Sequence, residues 1–235
     1  MSESAQITSE RNRVTVNPEF PNFNGDHEQL RLLVADLFRH SSRVDSWNSL
    51  NTVDCDATNK VTLGCQCCIA HILSGTSKTD GNKLSILSHI TPGCLTEACF
   101  FREAYAKVLK RMRSEVIPES VSSGIVGGYV GTPSIFRNYR QEYRRLAQFT
   151  AEITRVVLRI PTYILARPKL QKGDTDVFHS TSDDQTVVLQ NDGGALPEPI
   201  PVADIESHMK QWWKMLSVPG RFKGHFGSLR RRGRQ

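Results

Sequence analysis

Apolar residues recur at helical spacing in several stretches of this 235-residue chain. Leu30, Leu33, Val34, Leu37 and Phe38 form one stripe, and Asn24-Gly25-Asp26 before them offers a cap. The same periodicity predicts a second helix from about Thr62 to Leu73 and a third from about Leu95 to Arg113. A fourth spans Arg137 to Ile160, where Tyr139, Tyr143, Leu146, Phe149, Ile153, Val156, Val157 and Ile160 fill an arc of about 140° before Pro161 stops it. A last helix is expected from about Val202 to Leu216, with Met209, Trp212, Trp213 and Leu216 on its apolar side.

Elsewhere the pattern breaks. Asp176–Ser180 and Gln185–Gln190 flank Thr181-Ser-Asp-Asp184 and predict a small hairpin. Pro197, Pro199 and Pro201 stiffen a connector, and residues 114–133, with four glycines and two prolines, read as a linker or mobile loop. The expected fold is therefore mainly α, or α+β with one small β-hairpin. Its parts are a flexible arm over 1–25, a helical cysteine-rich domain over 26–120, a C-terminal region over 134–216 and a basic disordered tail over 217–235.

Composition allows a core, with 38% hydrophobic residues. No run of about 18 apolar residues is present, and the polar start Met-Ser-Glu-Ser-Ala-Gln lacks a secretory apolar segment, so an intracellular location, cytoplasmic or nuclear, is expected. Charge changes the picture more. Seventeen of the 30 basic residues lie in 137–172 and 210–235, so the rest of the chain is net acidic. Such polarity predicts a polyanion or an anionic membrane surface as partner.

The fourth helix concentrates that charge. At about 100° per residue, Arg140, Arg144, Arg155 and Arg159 fall within about 60° of Arg137, opposite the apolar arc, and Arg145 adds to the charge. A solvated face normally mixes signs, whereas like charges at this spacing repel, and arginine forks onto phosphate oxygens. In the tail, Phe222, His225 and Phe226 interleave with a cluster made of Arg230, Arg231, Arg232 and Arg234, a pattern suited to stacking on bases and pairing with phosphates. A solubility tail or a nuclear-import patch would look the same.

The six cysteines all lie between Cys55 and Cys99. Cys65, Cys68, His71, His89, Cys94 and Cys99 supply enough thiols and imidazoles for a tetrahedral zinc site, although no pair of C-x2-C knuckles is present, and buried free thiols are the simpler expectation. Gly64-Cys65-Gln66-Cys67 contains no matching base or oxyanion feature, so a Cys–His nucleophile ranks last. The glycines of 124–131 lack the Lys-Ser/Thr ending of a phosphate loop, and Asp174, Asp176, Asp183 and Asp184 suit turns.

The expectation is thus a non-enzymatic, self-associating nucleic-acid-binding protein, RNA preferred, with no small-molecule substrate and zinc as the one candidate cofactor. A matrix-type assembly protein on anionic membrane and a zinc-stabilised protein–protein adaptor are the alternatives. The plan is similar in style, though not in motif, to viral RNA-binding, matrix or accessory proteins.

Overall fold

The computed structural model describes residues 13–17, 41–44, 50–52, 54–131, 138–170, 175–190 and 195–216. In chain order the strands are β1 (Arg13–Asn17), β2 (Ser41–Val44), β3 (Leu50–Thr52), β4 (Asn59–Thr62), β5 (Ile69–Thr76), β6 (Lys83–Ile90), β7 (Ser122–Gly127), β8 (Tyr163–Ala166), β9 (Thr175–Ser180), β10 (Gln185–Gln190) and β11 (Ala195–Pro201). The helices are α1 (Ala98–Glu115), α2 (Tyr139–Leu158) and α3 (Ile205–Leu216).

The strands form two sheets, each mixing parallel and antiparallel pairs: a five-stranded one in the order β1-β10-β9-β4-β2 and a six-stranded one in the order β11-β8-β7-β5-β6-β3. Two separate cores flank the larger sheet. Ala70 and Ile72 of β5, Leu87 of β6 and Val126 of β7 meet Val44, Val177 and Val188 of the smaller sheet. Ile69, Leu73, Ile86, Ile90 and Ile125 point the other way, toward the helices. The architecture is three layers: sheet, sheet, helices.

This corrects the expected fold class. The described residues are β-rich, not mainly helical, and the segment expected as a helix from Thr62 to Leu73 is the end of β4, a loop and the start of β5. Ile69, Ile72, Leu73 and Thr76 mimic helical spacing because β5 is covered on both faces, so its apolar positions need not alternate. Residues 122–127, expected in a linker, form β7 inside the larger sheet, and both sheets take strands from either side of the expected boundary at 120–133. The three-proline connector is β11, at an edge of its sheet, where a missing N–H is tolerated. The helix expected after residue 26 lies outside the described residues, as does the tail.

Three expected helices are present. Phe101, Tyr105, Leu109 and Met112 bury one face of α1. Tyr143, Leu146, Ala147, Ile153 and Val157 do so for α2, whose first turn is capped by Asn138 accepting from the Gln141 N–H. In α3, Ile205, Met209 and Trp212 join the same core, so Trp212 is committed to packing. The β9–β10 hairpin forms as expected. No helix among the described residues is long and apolar enough to cross a membrane.

Candidate functional site

Among the described residues, two places gather reactive or charged side chains. The first is the connection between the sheets. β4 ends at Thr62 in the smaller sheet and β5 begins at Ile69 in the larger one, so Leu63–Cys68 bridges the mouth of the sandwich. Its backbone is pinned from three sides. The Gly64 N–H donates to Asp176 Oδ1 at 2.9 Å, the Cys65 N–H donates to the Thr175 carbonyl at 2.9 Å, and the buried Lys169 ammonium donates to the Cys65 carbonyl at 2.9 Å.

Gly127 and Gly128 allow this loop to come close. Both have φ near +87°, which a side chain rarely adopts. A Cβ on Gly127 would lie 3.2 Å from the Cys68 carbonyl oxygen and 3.5 Å from the Cys65 Cβ, and one on Gly128 would lie 2.3 Å from the Tyr143 ring.

Under the loop sits His89 of β6, on the sandwich side of the larger sheet. Its Nδ1 is 2.7 Å from Thr62 Oγ1, and that hydroxyl donates its single proton to the Val44 carbonyl at 2.9 Å. The Thr62 oxygen therefore accepts from Nδ1–H, which makes Nε2 the basic nitrogen of His89. Cys65 Sγ lies 3.6 Å from Nδ1 and 3.9 Å from Nε2. Cys65 is fully buried, and burial pushes its thiol up to about 12.

Cys68 is the more accessible thiol, half-buried where the loop enters β5. Ala70 pairs directly with His89 across β5 and β6, and Cys68, just before β5, packs against the same sandwich-side cluster that Ala70 joins. A hydrogen bond with Cys67 and then burial raise the Cys68 thiol, so it rests protonated. The arrangement is a neutral thiol, an imidazole and a hydroxyl that orients the imidazole.

The six residues expected for zinc do not converge. His71 and His89 sit on adjacent strands but on opposite faces of the larger sheet. On the helix side, His71 Nδ1 is hydrogen-bonded to the Tyr105 hydroxyl and Nε2 to Ser123 Oγ at 2.8 Å, and Ser123 bonds onward to Thr162 at 2.9 Å. Cys94 is buried in the core below the helices, with its thiol raised to about 11 by burial, and Cys99 is exposed on α1. Among the described residues no group of three or more His, Cys, Asp or Glu side chains is arranged to hold a metal ion.

The second place is where the first turn of α2 meets α3. Asn138, Arg140, Gln141 and Arg144 face Glu206, Met209 and Lys210 across a groove of about 380 Å³, and Glu206 pairs with Arg144 at 3.0 Å. Arg145, Arg155 and Arg159 are exposed. Arg137 and the tail arginines Arg230, Arg231, Arg232 and Arg234 lie outside the described residues. The expected arginine face is thus divided between a groove near one end of α2 and exposed positions farther along.

Neither a protein-family model nor a curated protein matches the chain. The viral style suggested by the sequence finds no support in these comparisons. Thr62 was not foreseen as a site residue. His89, 24 residues on from Cys65, lies 3.6 Å from the Cys65 sulfur on β6, the strand paired with β5.

Proposed function

We propose that the protein is a thiol-dependent acyl-transfer enzyme acting on an amide or ester, with Cys68 as nucleophile, His89 as general base and Thr62 as the group that orients the base. The observation that supports this reading is the Val44–Thr62–His89 hydrogen-bond chain, in which Thr62 takes Nδ1–H and so favours the tautomer with a basic Nε2, on the side of the larger sheet where Cys68 packs. The Cys68 sulfur attacks the carbonyl carbon as its proton passes to Nε2. The imidazolium then protonates the departing amine or alcohol, and water, deprotonated by the same imidazole, cleaves the thioester to acid and free thiol. Cys65, fully buried with its thiol pushed up to about 12, serves as a wall beside the ring.

The test uses p-nitrophenyl acetate, whose reaction does not depend on the natural acyl group. The full-length protein is expected to release a burst of nitrophenolate stoichiometric with protein and to carry the acetyl group on Cys68 by mass spectrometry. Cys68→Ser and His89→Gln should lose the burst while keeping the melting temperature. An equal burst in Cys68→Ser would end this reading.

A second reading, contact with a nucleic-acid phosphate backbone, is favoured by the exposure of Arg145, Arg155 and Arg159 along α2. It predicts RNA affinity that falls steeply with salt and weakens when these three residues are changed to glutamine. Salt-independent binding, or no binding, would remove it.

A further inference from the structure

The groove between α2 and α3 has a charge pattern of its own. Among the described residues, Arg140, Arg144 and Lys210 border it with Glu206 as the single acid. Its volume of about 380 Å³ is near the lower end of ligand pockets, roughly 300 to 1,000 Å³, which suits one or two side chains of a larger partner. Among the described residues no aromatic ring lines it. The amide side chain of Gln141 offers both a donor and an acceptor to a peptide backbone, whereas phosphate oxygens take donors only. Cations for carboxylates together with amide-compatible groups for a backbone describe an extended acidic peptide better than a nucleic acid.

Position points the same way. Tyr143, three residues after Arg140 and next to Arg144, packs its ring on Gly128, and Gly127 abuts the Cys68 carbonyl. The first turn of α2 is further tied to this segment by the Tyr139 and Tyr129 rings, 4.9 Å apart, and Tyr129 pairs with Lys169, whose ammonium holds the Cys65 carbonyl. The groove and the thiol loop are thus braced by the same short segment, 127–129.

We propose that this groove docks an acidic, extended segment of a polypeptide substrate, with Arg140 and Lys210 gripping its carboxylates while the adjoining stretch reaches Cys68. The word substrate rests on the acyl-transfer reading; the peptide binding does not.

The experiment is fluorescence anisotropy of a labelled oligoglutamate peptide with full-length protein, from about 50 to 300 mM salt. Wild type is expected to bind with salt-sensitive affinity, and Arg140→Glu combined with Lys210→Glu to weaken it at least about tenfold, because reversed charges at a groove repel the ligand. The milder pair Arg140→Gln and Lys210→Gln, with melting temperature as a check on folding, should weaken it in the same direction. Cys68→Ser should bind as wild type does, so a failure of the thiol chemistry leaves the docking result standing and the reverse holds equally. No binding of the peptide, binding unaffected by both pairs, or tighter binding of a single-stranded RNA that the same substitutions abolish would each overturn the proposal.

Discussion

His71 and His89 are both buried, sit on paired strands, and are separated by one sheet, yet their surroundings differ in kind. His71 faces the helical layer, with one nitrogen bonded to Tyr105 and the other to Ser123, and burial lowers its pKa to about 3. One nitrogen ties α1 to the larger sheet, and the other ties β5 to β7 within it. His89 faces the sandwich, where Thr62 takes Nδ1 and the thiol loop lies beside the ring. The first ring joins strands and a helix through two hydroxyls, whereas the second is oriented at Nδ1 beside a sulfur, the arrangement on which the proposed proton transfer rests.

The sharpest way to break this contrast is to exchange the roles by mutation. His89→Gln is expected to lower the acetylation rate of Cys68 by about 10²- to 10⁴-fold, the usual share of a general base, with little change in unfolding midpoint. His71→Ala should do the opposite. It strips partners from the buried Tyr105 and Ser123 hydroxyls and leaves a cavity, costing about 3 kcal/mol in urea unfolding while the folded fraction still acylates. If His71→Ala silenced the chemistry and left stability intact, the assignment of the two histidines would be reversed.

Gly128→Ala comes next. The added Cβ meets the Tyr143 ring at 2.3 Å on a backbone with φ of 87°, so a loss of about 2 kcal/mol by urea unfolding is expected, with the thiol loop loosened as well. Gly64→Ala, with φ of 67° but nothing near its Cβ, should cost less.

The smallest effect per step is in pH. Unfolded His71 takes a proton below its ordinary value of 6.5, but the folded protein resists until about 3, and His179, buried near Lys60, resists until about 4. The unfolded state therefore binds more protons in this window. Stability is full above pH 6.5 and falls as pH drops toward 4 and then 3, by up to about 1.4 kcal/mol per pH unit for each histidine. Replacing His71 with Gln should remove its share of that slope, as urea titrations at several pH values would show.

Much of the helical layer was legible in the sequence, because α1, α2 and α3 each bury one face and leave the periodicity intact. The β9–β10 hairpin was legible from its turn residues. The larger sheet was not. β5 and β6 are covered on both faces, so Ile69, Ile72 and Leu73 carry no alternation, and β7 is written in serines and glycines that resemble a linker. The site was half legible. Cys65, Cys68 and His89 stood out by residue type, but a zinc reading grouped them with His71, which only the pleat of β5 and β6 assigns to the other face. Thr62 gave no sign in the sequence, since its role depends on a carbonyl at Val44 in another strand.

The most direct test of the Cys68–His89 pair is competitive alkylation of the native protein with iodoacetamide, read for each cysteine by mass spectrometry. Cys99 is exposed, while Cys68 is half-buried with a raised thiol, so exposure alone makes Cys99 the faster. If His89 takes the Cys68 proton as the sulfur attacks, Cys68 reacts ahead of Cys99, and His89→Gln restores the order set by exposure. Cys99 reacting first in the wild type, with no change in His89→Gln, would contradict the account.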